Sequence, residues 1–283
     1  MTGSFAKTYT SGGDFLEFEP EENLKLSIEL SLDGFSFVVK EGNFVKAVES
    51  YSYEGKIGYA EYASNLKDIF EFLGFTGRVF KQVKVCWHSG SLVFVPKEVF
   101  DPLHKEKYYG FCESSKTNEN IISDSLDEID CFGLYEFPSE VESVIGSIFP
   151  KYQIVNSASA IIKWFFKSQY KKSDAQHIVI QIRDSGIDIF WFEGQSLLFF
   201  NSFNCRVSED YLYFIMYFVE QFKVDSSKTK VILFGETEGK QDFLENANQL
   251  LDNVELLDGS VSEINTNIIG SNEYGRFHLL FNI

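Results

Sequence analysis

The sequence predicts an α/β protein of mixed sheets with helices on their faces, in which one β-β-β-α-β unit occurs twice. Three observations carry this expectation. Residues 24–53, LKLSIELSLDGFSFVVKEGNFVKAVESYSY, and residues 177–203, HIVIQIRDSGIDIFWFEGQSLLFFNSF, each hold three apolar runs divided by Gly-containing turns. Alternation with period two between such turns is the mark of an antiparallel meander. Gly34 and Gly186, Gly42 and Gly194, and Glu41 and Glu193 all stand 152 positions apart. Each meander is followed by a helical pattern and then by a strand of similar shape, KVCW from Lys84 and KVIL from Lys230.

A chain of 283 residues can bury a large core in one or two domains. Its 42 acidic against 25 basic residues give a net charge of −17. That balance speaks against nucleic acid, whose binding relies on Lys and Arg at phosphates, and against anionic lipid. It suits solubility, or a basic protein partner. Thirty Phe suit tightly packed sheet faces. No run approaches the roughly 20 apolar residues of a membrane span. The opening MTGSFAKTYTSGGDF has no basic segment followed by an apolar core, so it reads as no signal peptide. Cys86, Cys112, Cys131 and Cys205 are widely spaced, without a C-x-x-C pair, and the expected compartment is the reducing cytoplasm.

Taken in order, residues 1–23 form an N-terminal extension, a frayed start or short edge strand. The first meander turns at Asp33-Gly34 and Glu41-Gly42. Tyr62, Leu66, Ile69, Phe70 and Leu73 recur at helical spacing, ended by Gly74. Strands follow at 83–87 and 92–95, the latter stopped by Pro96. Residues 101–130 lose periodicity and read as a charged surface insertion. A strand at 132–137 precedes Pro138, and Ser139 with Glu142 fits a capping box for the next helix. Tyr152 to Val155 is a short strand, with Ser157 or Ser159 capping a helix beyond it. After the second meander, Ser208 is placed to cap YLYFIMYFVEQF, a helix apolar nearly all round that should be buried on more than one side or covered by a partner. Strand 230–234 ends at Gly235, Phe243 to Leu251 is helical, 254–257 is a strand, and 277–281 is a closing apolar segment.

Isolated chemical motifs are weak. Cys86 and His88 offer two possible ligands on one strand face, but no second pair has zinc-like spacing. His88, His104, His177 and His278 are scattered. There is no G-x-S-x-G elbow and no P-loop lysine. No catalytic residue and no metal ligand is assigned, and Asp33 and Asp184 read first as turn formers.

The duplicated order resembles the actin-like ATPase superfamily, of ribonuclease H-like fold, which includes actin, Hsp70 and sugar kinases. The segment CFGLYEFPSEVESVIGSIFPKYQIVNSASAIIKWFF, from Cys131 to Phe166, looks like the one preceding the second unit in type IV pilus assembly and cell-division actin homologues. The whole is similar to a bacterial family of unknown function with an actin-like ATPase fold. The resemblance implies two lobes around a nucleotide cleft, the first spanning 24–176 and the second 177–283. It also implies an Asp-x-Gly pattern in the first hairpin of each lobe, the Asp holding hydrated Mg²⁺ and the Gly admitting phosphate. Here Glu29 and Ser31 stand at those places in the first copy, and Gln181 and Arg183 in the second. A register slip of one residue would put Ile28 and Ile180 at the Asp places instead. The Gly-Gly turn expected under the adenosine reads Gly235-Glu236. Glu29, Ser31, Asp33, Gln181, Arg183, Asp184, Gly235 and Glu236 are therefore the expected cleft-lining positions.

An amide is a poor anchor for hydrated Mg²⁺, and an arginine side chain fills space that a phosphate would need. The expectation is a non-catalytic, cytoplasmic interaction or scaffold module with no cofactor and a protein partner, a homodimer being compatible with the sequence. The alternative is an ATP-binding enzyme or nucleotide switch with non-standard loops, using ATP and Mg²⁺ with Glu29 as the metal-side carboxylate.

Overall fold

The computed structural model describes residues 5–13, 23–53, 58–113, 120–172, 175–259 and 268–283. Their contacts divide the chain into two compact units. Unit 1 holds residues 1–161, 262–270 and 279–283, and unit 2 holds 162–261 and 271–278. The sequence reading puts the junction at 176/177; the contact division falls fifteen residues earlier and returns two short C-terminal pieces to unit 1.

Unit 1 is built on a six-stranded sheet. Its meander is β2 (Leu24–Ser31), β3 (Gly34–Glu41) and β4 (Phe44–Ser52), preceded by β1 (Ala6–Gly12). Helix α1 (Tyr59–Phe72) leads to β5 (Gln82–Trp87), and the order across the sheet is β1-β4-β3-β2-β5-β9, with β9 at Gln153–Asn156. The expected edge strand is therefore β1, paired antiparallel with β4. Alternation sends Leu26, Ile28 and Leu30 of β2, with Val83 and Val85 of β5, into one core against Tyr62, Leu66 and Phe70 of α1.

Unit 2 repeats the pattern. Strands β10 (Gln176–Arg183), β11 (Gly186–Glu193) and β12 (Ser196–Asn204) form its meander, followed by α5 (Ser208–Phe222), β13 (Thr229–Gly235), α6 (Gln241–Leu250) and β14 (Val254–Leu256). The order β12-β11-β10-β13-β14 is that of β4-β3-β2-β5-β9 in unit 1. Even the hairpin register is shared: Ser31 opposes Gly34 as Arg183 opposes Gly186. The strands after the helices match with a different phase. Ser27 pairs Lys84, while its counterpart Val179 pairs Ile232, so Lys84 and Lys230 are not equivalent. A slip of two keeps every side chain on its face, which is why the KV pattern hides it.

Several expectations are corrected. The 101–130 stretch is not a structureless excursion: it contains α2 (Lys105–Cys112) and β7 (Asn120–Leu126), and β7 joins β6 (Val93–Pro96) and β8 (Cys131–Phe137) in a third sheet, β6-β8-β7. Its alternation is concealed by Asp124, a buried carboxylate on the strand face it shares with Ile122 and Leu126. Helix α3 (Ser139–Ile148) starts one residue early, with Pro138 at the cap, and the Ser139 hydroxyl goes to Glu140 instead of a capping box. Helix α4 (Ser157–Lys167) is capped by Asn156, whose Oδ1 accepts from the N–H of Ala158 and Ser159. At α5 the cap residue is Val207, and Asp210 reaches back to the N–H of Arg206 and Val207. That helix buries Tyr211, Ile215 and Phe218 but leaves Tyr213, Tyr217 and Phe222 exposed, so it is buried on one side. The closing segment is helix α7 (Ser271–Asn282).

Candidate functional site

In open α/β sheets, ligands gather at the carboxyl ends of the parallel strands. In unit 1 those ends are the last residues of β2, β5 and β9. Glu29, near the end of β2, holds the Nε2 of His88 at 2.5 Å, and both side chains are largely buried. The backbone prepares this contact, because the His88 N–H donates to Leu30 O across the β2–β5 edge. Beside it, Asn156 donates through Nδ2 to the Ser89 hydroxyl at 2.7 Å, and the Asn156 N–H is held by Asp124 at 2.9 Å. Tyr135 donates to the same Asp124 at 3.3 Å. Cys86 lies within this set, and burial, followed by Glu29 and Asp124, pushes its thiol well up. Ser31 and Asp33 sit in the β2–β3 turn, half-buried, and Ser31 bonds back to Gly34 O at 3.4 Å. Tyr62 of α1 braces the same turn by donating to Gly34 O.

Unit 2 has a different chemistry at the corresponding places. Gln181, the counterpart of Glu29, is buried, and its Oε1 has no hydrogen-bond partner. Arg183 folds back over its own hairpin: Nη2 donates to Asp188 at 3.1 Å and to the Ser202 hydroxyl at 2.9 Å. Asp184 is exposed at the turn, and its carbonyl accepts from Tyr211 of α5, repeating the Tyr62 brace of unit 1. Gly235 closes β13 with φ of +108°, and a Cβ there would meet Ile182 O at 2.1 Å. Glu236, the positional counterpart of His88, donates its N–H to Ile182 O, and its carboxylate pairs with Nε of Arg276 at 2.8 Å. Burial raises the Glu236 carboxyl, with Arg276 opposing and Asp184 reinforcing. A cavity of about 360 Å³ opens beside Gly235, Glu236, Leu257 and Arg276.

The structure thus brings Glu29 together with His88, and Arg183 with Asp188, each inside its own unit. His88, Asn156, Asp124 and Arg276 were not singled out from sequence for these contacts. Their partners lie 59, 67, 32 and 40 positions away, beyond any local pattern. Among the described residues no group of three His, Cys, Asp or Glu is arranged to hold a metal ion, and no helix is long and apolar enough to cross a membrane.

Comparison with solved structures shows the fold. A Bacteroides thetaiotaomicron protein described as having an actin-like ATPase fold and unknown function superposes with a TM-score of 0.73 at 21% identity, covering 84% of this chain and 92% of that one. The PilM–PilN type IV pilus biogenesis complex matches with a TM-score of 0.55 at 11% identity, covering 93% and 97%. No curated protein matches the chain. At these identities the likenesses establish an actin-like ATPase fold. A family model described as "Protein of unknown function (DUF3822)" matches residues 14–254, and the chain belongs to that family.

Proposed function

We propose that this protein is a non-catalytic actin-like module of the cytoplasm that works by binding another protein. The observation that carries the reading is Arg183, whose guanidinium is committed to Asp188 and Ser202 across the hairpin where the fold family places phosphate. Gln181 beside it offers a neutral amide, whereas hydrated Mg²⁺ is held through carboxylates. Glu29 is engaged by His88, and Glu236 adds a carboxylate next to Gly235. Phosphoryl transfer depends on metal, positioning and charge stabilisation, and each of these supports is altered. The likeness to PilM, seen in a complex with PilN, supports an assembly role.

The cavity of about 360 Å³ beside Gly235 favours a second reading, in which the protein binds ATP without standard loops. It lies within the roughly 300–1,000 Å³ of ligand pockets. A thermal-shift titration separates the two. Ligand at a hundred times its Kd stabilises by about 2.7 kcal/mol, or several degrees at roughly 2–4 °C per kcal/mol. The expected result is no shift with Mg-ATP. A saturable shift with Mg-ATP would overturn the protein-binding reading in favour of the second.

A further inference from the structure

At the end of the unit 1 sheet away from the Ser31–Gly34 turn, three lysines converge. Lys25 on β2 and Lys40 on β3 are direct cross-strand partners, and Ser27 of β2 is the partner of Lys84 on β5. Alternation places all four on one face, while Leu24, Leu26, Val39, Val83 and Val85 enter the core on the other. Lys25, Ser27, Lys40 and Lys84 line a cavity of about 200 Å³, joined by Asn43 and Gln82 and walled on another side by Phe281 and Ile283. Lys40 is 7% exposed and Ser27 3%, so this is a built recess, not a fringe of solvated side chains.

Like charges directly opposite on neighbouring strands repel. The cost is visible at Lys40, whose ammonium is pushed down to about 8 by burial and then by Lys84 and Lys25. Two of its three N–H donors go to Phe281 O at 2.9 Å and Leu280 O at 3.4 Å, leaving one. Three cations, a hydroxyl and two amides around one recess match a multivalent oxyanion; a single carboxylate would offset only one of the charges. At roughly 30 Å³ for a water's share of volume, the recess also has room for the ion and part of its hydration.

We propose that Lys25, Lys40, Lys84 and Ser27 form an oxyanion site that takes a phosphate dianion, free or as a monoester. It lies at the start of β2 and β5, remote from the loops considered above, and uses no metal.

The test is binding of inorganic phosphate and, separately, O-phosphoserine, to the full chain at pH 7, without Mg²⁺ and at constant ionic strength against chloride. Calorimetry and thermal shift should both show saturable binding. Lys25→Met and Lys84→Met should each weaken it about tenfold, the scale of one charge-assisted hydrogen bond. Lys25→Met should be at least as stable as the parent in chloride, because it removes a repulsion on Lys40. Binding of the free ion alone identifies that ion as the ligand, and binding of both admits a phosphorylated molecule. No phosphate-specific effect in the parent, or an effect undiminished in both variants, overturns the proposal.

Discussion

Arg183 replaces what the fold family expects to be a glycine, and its guanidinium spans to Asp188, whose side chain is only 5% exposed. Removing the arginine would strand a buried carboxylate, which costs about 3–5 kcal/mol. Arg183→Met should therefore lower the urea-unfolding free energy on that scale, and Arg183→Met/Asp188→Asn should recover most of the loss. If the single variant is as stable as the parent, the pair is not what holds the hairpin shut. His278 gives a second residue-scale consequence. Packed against Trp164 and Phe234 and fully buried, its imidazole is pushed down to about 3. A folded pKa below the unfolded value of about 6.5 means that the unfolded chain takes up the proton first. The contribution of His278 is thus complete above pH 6.5 and is lost as pH falls from 6.5 toward 3, at up to about 1.4 kcal/mol per unit. Burial lowers His177 in the same direction. Unfolding titrations at pH 7 and 5 should show that fall, and His278→Phe should reduce it.

At the scale of elements, the paired glycines have separate reasons. Gly42 and Gly194 adopt φ of +57° and +53°, the left-handed region that a turn needs and L side chains avoid. Gly34 and Gly186 are required by space: a Cβ would stand 2.1 Å from Tyr51 O and 2.2 Å from Phe203 O, each the carbonyl of a neighbouring strand. Gly186→Ala should accordingly destabilise by about 1–3 kcal/mol, as overpacking does, measured by urea unfolding. A loss under half of one kcal/mol would show that the strands part freely there. Turns and strands were legible because Gly and alternation act locally. Caps were not: Asn156 is matched by type by the serines after it, and Val207 and Pro138 stand where the next serine suits the position better. Helix α7 was read only as an apolar end because Gly275 interrupts it. That glycine sits where a Cβ would meet Leu257 O at 3.0 Å, a constraint imposed from outside the helix.

For the molecule as a whole, the fold was largely readable: two meanders, each with a following helix and parallel strand, gave the matching orders β4-β3-β2-β5-β9 and β12-β11-β10-β13-β14. The pairing of Glu29 with Gln181 and of Ser31 with Arg183 was readable, since each pair falls at the same register of its hairpin. What they do there was not, because His88 meets Glu29, and Ser202 meets Arg183, only once the sheets close.

The bond between Lys40 and Phe281 O spans 241 positions. Its consequence is temporal. The strands that bury Lys40 are made early, whereas the carbonyls that receive its protons belong to the last turn of α7. At roughly 5–20 residues per second, synthesis separates the two by about 10–50 s. Through that interval only water can receive the Lys40 protons that Leu280 O and Phe281 O take in the finished fold. The bonds from Lys40 to Leu280 O and Phe281 O are thus among the last that unit 1 can complete during synthesis.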